Sequence, residues 1–115
     1  MERPKILPSD LLRVGWCQGS YALTRSDKLC SPRSRLAAKW DIVGAFNRII
    51  NNPSFNKDWS VILNTFKKYI PDQYISNWND NKSRTREEVV TLAKKVETEL
   101  GWTKNESAKE IEKVF

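Results

Sequence analysis

The chain reads as a compact all-α domain of four to six helices with a minor β-hairpin near residues 20–31. Three observations predict this. Apolar residues recur at helical spacing through most of its 115 residues. Two capping boxes, Thr85-Arg86-Glu87-Glu88 and Thr103-Lys104-Asn105-Glu106, mark helix starts, because the Thr hydroxyl takes one orphan amide and the Glu reaches back to another. Gly15 and Gly101 each close an amphipathic run and are each followed by a Trp. A length of 115 residues fits one domain over 1–115, with the core in about 9–102 and a terminal helix over about 104–115.

The elements follow in order. Pro8-Ser9-Asp10 supplies a helix start, Leu11, Leu12 and Val14 an apolar side, and Gly15 a left-handed terminator. Tyr21–Thr24 is a candidate strand and Arg25–Lys28 a turn, with Leu29-Cys30 as the returning arm. Leu36, Trp40, Val43, Phe46 and Ile50 predict a helix from about Ser34 to Asn51, interrupted by the small pair Gly44-Ala45 and stopped before Pro53. Trp59, Ile62, Leu63, Phe66 and Ile70 predict the next helix, over Lys57–Tyr69. A short helical turn carries Tyr74, Ile75 and Trp78. Val89, Leu92, Ala93, Val96 and Leu100 then continue from the Thr85 box to Gly101.

Composition excludes several functions. No run of about 18 apolar residues is present, so no spanning helix is expected. Met1–Lys5 leads into no apolar signal core, which places the expected compartment in the cytoplasm. The sequence has no histidine, which removes the usual general base, the Ser-His and Cys-His pairs and the commonest metal ligand. Cys17 and Cys30 are therefore expected to be reduced structural thiols, and no enzyme, metal or cofactor is expected.

Charge is lopsided. Of the net +6, the first 50 residues hold nine Lys/Arg against four Asp/Glu, and the remainder hold eleven against ten. The excess lies chiefly in Arg25, Lys28, Arg33, Arg35 and Lys39, which suits an acidic protein or nucleic acid.

The candidate binding residues are Gln18, Tyr21, Arg25, Lys28, Arg33 and Arg35. Gln18 and Tyr21, with Trp16, have two readings. They line a pocket that reads an amide or a sugar, or Gln18 bonds loop backbone while Trp16 and Tyr21 pack on Gly44-Ala45. Asn79-Asp80 likewise contacts a cation or ligand, or performs turn chemistry on its own backbone.

Gly15-Trp16-Cys17-Gln18-Gly19-Ser20-Tyr21-Ala22 resembles the opening of a family of small uncharacterised proteins from bacteria, mostly actinobacteria, and phages. Trp40-Asp41-Ile42-Val43-Gly44-Ala45 resembles that family's Trp-x-x-x-Gly-Ala segment. Trp78-Asn79-Asp80 and Arg84-Thr85-Arg86-Glu87-Glu88-Val89 resemble its Trp-Asn-Asp and Arg-Thr-x-x-Glu-Val segments. The family commonly has Cys where this chain has Asp41, so any cysteine-dependent role there does not carry over. The resemblance implies Gly15, Trp16, Gly44, Ala45, Trp78, Asn79, Asp80, Thr85 and Glu88 as shared motif residues, and no activity. The leading expectation is a non-enzymatic interaction protein presenting residues 15–35 to a protein partner. The alternatives are a nucleic-acid accessory factor, a phage-related regulator or inhibitor of a host protein, and an enzyme using carboxylates such as Asp41 and Asp80. The sequence leaves the oligomeric state open.

Overall fold

The computed structural model describes residues 3–50, 56–71 and 74–102. Within them run five helices: α1 (Pro8–Val14), α2 (Ile42–Ile49), α3 (Asn56–Lys67), α4 (Ile75–Asn79) and α5 (Arg86–Glu99). Between α1 and α2 lie two strands, β1 (Ala22–Thr24) and β2 (Ala37–Trp40), paired antiparallel with Ala22 opposite Trp40. The domain is thus mostly helical with one small two-stranded sheet. The expected helix over 104–115 lies outside the described residues.

One apolar core joins these elements. Leu12 of α1, Ile42 and Phe46 of α2, Ile62 and Phe66 of α3, and Val89 and Val96 of α5 are all buried in it. Phe46 sits at its centre, edge-on to Phe66 at 5.0 Å and stacked with Trp102 at 5.9 Å. Such aromatic pairs add directional packing to plain area burial.

The helix expected over Ser34–Asn51 is corrected. Residues 37–40 are strand, and α2 begins only at Ile42. The 3.6-residue recurrence of Leu36 and Trp40 is a coincidence of spacing: Leu36 is 67% exposed, while Trp40 enters the core from a strand. Asp41 decides the boundary, because its Oδ1 accepts the amide of Gly44 as an N-cap.

The expected arm returns in part: Leu29 bridges Leu23 antiparallel and the Cys30 amide reaches the Ala22 carbonyl at 3.4 Å. The regular partner of β1, however, is residues 37–40. The Arg25–Lys28 turn does form, through Thr24 and Lys28 backbone bonding and Asp27 at φ 64°.

Gly15 and Gly101 turn out to do different things. Gly101 has φ 78°, its amide reaches the Thr98 carbonyl at 3.0 Å, and the Trp102 amide reaches Glu97 at 2.9 Å. That is a Schellman closure of α5, with Trp102 buried as its apolar contact. Gly15 is extended at φ −159°, so it is not the left-handed terminator expected of it. It is needed because the chain crosses the Ala38 carbonyl where a Cβ would clash with backbone. Across that crossing Trp40 N bonds Gly15 O at 3.0 Å, and Cys17 N bonds Trp40 O at 3.1 Å.

Two further ties set the helices. Asp10 Oδ2 accepts the Leu7 amide at 3.0 Å at the start of α1. Glu97 on α5 is fully buried and accepts both the Ser9 amide, at 2.7 Å, and the Ser9 hydroxyl, at 2.8 Å. Burial pushes the Glu97 carboxyl upward, and the Ser9 donors oppose that push.

Candidate functional site

The motif residues from the two ends of the chain converge on Asn79. This side chain is 0% exposed at the C-terminus of α4. Its Oδ1 accepts the Trp16 indole N–H at 2.9 Å and the Ile42 amide, the first of α2, at 3.1 Å. Its Nδ2 donates to the Cys17 carbonyl at 3.1 Å and to Asp80 Oδ1 at 2.9 Å. All four hydrogen-bonding positions of the amide are taken.

Gln18 works in the opposite direction. Its Nε2 donates to the carbonyls of Asn79, at 3.0 Å, and Asn81, at 2.8 Å, closing the C-terminal end of α4. Gly19, at φ 82°, turns its amide onto Asp80 Oδ1 at 3.0 Å. Gln18 therefore bonds loop backbone. Asn79-Asp80 bonds the Trp16–Gly19 segment as well as its own neighbourhood, which is more than local turn chemistry.

Trp78 and the following loop form the next layer. The Arg84 guanidinium lies 3.9 Å from the Trp78 ring centroid, donates to the Trp78 carbonyl at 2.9 Å and pairs with Glu88 at 3.0 Å. Glu88 in turn accepts the Thr85 amide at 3.0 Å, while its own amide reaches Thr85 Oγ1 at 3.2 Å. Arg84 thus serves Trp78 and Glu88, and Arg86 donates to the Arg13 carbonyl at 3.4 Å.

Gly44 completes the junction from α2. A Cβ there would collide with the Tyr21 carbonyl, which accepts the Asp41 amide at 3.2 Å. The Gly44-Ala45 notch therefore admits strand backbone. Tyr21 meets it with its carbonyl, while the residue as a whole is 56% exposed.

The chemistry available in this junction is limited. Burial raises the Cys17 thiol to about 11, so it stays protonated at neutral pH and is a poor nucleophile. Cys17 and Cys30 are both free. Burial likewise raises the Asp41 carboxyl to about 7, against the opposing pull of the Gly44 amide and with nearby Asp80 adding to the rise. Ser20 Oγ is buried with no hydrogen-bond partner. Among the described residues, no group of three or more His, Cys, Asp or Glu side chains is placed to hold a metal ion.

The remaining candidates separate from the junction. Arg25, Lys28 and Arg35 are exposed on the 24–36 lobe beside Leu29, at 79%, and Leu36, at 67%. Lys39 pairs with Asp27 across it. Arg33 turns inward, donating to the carbonyls of Asn47 and Ile50 at the end of α2. Arg48, which sequence reasoning missed, donates to the carbonyls of Pro32 and Ser34 at 3.0 and 2.6 Å. The lobe is thereby fastened to α2 from both sides. A lone Arg inside a helix gives no sequence signal that it will seize a distant loop.

These interlocked segments coincide with a family assignment. Residues 9–99 match DUF6197, a family of unknown function. The chain belongs to the DUF6197 family. The DUF6197 match spans α1 through α5, and so includes every residue of the Asn79 junction. No curated protein and no solved structure matches this DUF6197 chain.

Proposed function

We propose that this DUF6197 protein is a non-enzymatic interaction module. It presents the 15–35 segment, and above all its basic lobe, to a protein partner in the cytoplasm. One observation carries this reading: Leu29 and Leu36 stand in solvent among Arg25, Lys28 and Arg35 on a lobe fastened by Arg33 and Arg48. Large exposed apolar side chains on a rigid loop suit a protein interface, where apolar anchors supply energy and charge supplies orientation. A nucleic-acid surface would instead favour uninterrupted cations with exposed stacking rings.

Supporting the non-enzymatic part, the buried polar groups of the junction are spent largely on backbone and on each other, and Cys17 is held as a thiol. No helix among the described residues is long and apolar enough to cross a membrane. Regulation or inhibition of a host protein is one form this interaction takes.

The test compares the wild-type chain with the Arg25→Glu/Lys28→Glu/Arg35→Glu variant. The three side chains are exposed, so the thermal melt should stay unchanged. Chemical cross-linking in host cells should yield a discrete adduct with the wild type and lose it with the variant. An adduct that survives charge reversal removes the lobe from the reading. Salt-dependent binding of a duplex or single-stranded oligonucleotide at low salt, without a protein adduct, favours the nucleic-acid alternative.

A further inference from the structure

Beside the basic lobe lies a cleft of about 280 Å³, lined by Tyr21, Pro32, Val43, Gly44, Asn47 and Trp59. It lies below the roughly 300–1,000 Å³ range usual for small-molecule sites, so it suits one or two side chains of a larger partner. Its walls are two aromatic rings and a proline. Tyr21 is mostly exposed, and Trp59 and Pro32 are half-buried. Val43 and Asn47 of α2 complete the lining, with Gly44 backbone between them.

Asn47 adds a polar handle. Its carbonyl is occupied by Arg33, but its side-chain amide makes no hydrogen bond among the described residues. Arg33 and Arg48 hold the neighbouring backbone, donating to the Asn47 and Pro32 carbonyls. Arg25, Lys28 and Arg35 extend the positive field along the adjoining lobe.

We infer that this cleft receives a proline of an extended, acidic segment of the partner. The inference rests on the proposed interaction role and names its partner chemistry. A polyproline-type strand is pre-extended and leaves its carbonyls unpaired. Aromatic walls accept the proline ring, and a side-chain amide such as that of Asn47 donates to a free carbonyl. Acidic neighbours of that proline meet the exposed Arg25, Lys28 and Arg35 of the lobe that supplies Pro32.

The probe is a synthetic eight-residue peptide, Glu-Asp-Pro-Pro-Leu-Pro-Asp-Glu, capped at both ends. It is titrated into the ¹⁵N-labelled full-length chain. The expected result is amide shifts at Val43, Gly44 and Asn47 together with the Trp59 indole, saturating with one constant. Replacing the prolines by Ala, or the acids by Lys, should each weaken binding about tenfold, as loss of one anchoring interaction does.

Trp59→Ala should weaken it similarly; if that variant melts early, Tyr21→Ala, at an exposed position, and Asn47→Ala take its place. No shift at millimolar peptide overturns the inference. So does equal binding of the alanine peptide, or shifts confined to other residues. Shifts of the same amides by a dT oligonucleotide, with none from the peptide, overturn it as well. The two levels separate cleanly. If charge reversal abolishes the cross-linked adduct while the peptide leaves the cleft unshifted, the lobe reading stands and the cleft assignment falls.

Discussion

Asn79 shows how much one side chain can organise. Its carboxamide gives an acceptor to Trp16 and to the first amide of α2, and donors to Cys17 and Asp80. Truncation leaves an indole N–H, a helix-start amide and a carbonyl buried without partners, each costing about 1–3 kcal/mol. Asn79→Ala should therefore destabilise the fold by at least ~3 kcal/mol in urea unfolding. A loss below about 1 kcal/mol would show that water replaces the amide.

Asp41 carries a second residue-scale consequence. Burial lifts its carboxyl from 3.8 to about 7, so between those values the folded chain keeps a proton that the unfolded chain has released. The stabilising contribution is full below about pH 4 and fades as pH rises through about 7. At about 1.4 kcal/mol per pKa unit the change amounts to ~4 kcal/mol at most. Asn is as good an N-cap as Asp. Asp41→Asn should thus keep α2 and flatten the decline in stability from pH 5 to pH 8, measured by urea midpoints. Glu97 is raised in the same direction and Glu88 and Glu99 are lowered, so the comparison with Asp41→Asn isolates the one group.

At the scale of elements, local signals worked where the partners are close in sequence. The Thr85 box forms as read, with reciprocal Thr85 and Glu88 bonds. Gly101 takes the left-handed conformation that ends α5. Thr85→Ala should cost about 1 kcal/mol, seen as a melting point lowered by a few degrees; an unchanged melt would place the stability of α5 wholly in its packing.

The Ser34–Asn51 stretch misled because a strand of four residues and a helix of eight, joined at Asp41, can imitate one longer helical stripe. The Asp41 cap sets where α2 starts, and the pairing of Ala37–Trp40 with Ala22–Thr24, more than a dozen positions away, makes the preceding residues strand. Gly15 misled for a related reason. A glycine after a helix reads as a left-handed cap, whereas here the requirement is room for the Ala38 carbonyl.

For the whole molecule, α1, α2, α3 and α5 share one core around Phe46, and the Asn79 junction ties α4 to the α1–β1 connection and to α2. Far-ultraviolet circular dichroism and tryptophan fluorescence should accordingly report one coincident unfolding transition. Separated transitions would show that α3 or α5 melts apart from the junction.

The sequence by itself determined the mostly helical character, the positions of α1, α3 and α5, and the basic bias of the first half. Each of those is encoded in spacing, caps or composition within a few residues. Only the tertiary structure decided what the Gly-Trp-Cys-Gln-Gly segment is for. Its Trp16, Gln18 and Gly19 bond residues 79–81, about sixty positions later. Which buried donor meets which acceptor is settled by packing that brings distant chain segments together, and no local periodicity encodes that meeting. The same packing engages Gln18 and Arg33 with backbone carbonyls and leaves Arg25, Lys28 and Arg35 exposed on the lobe.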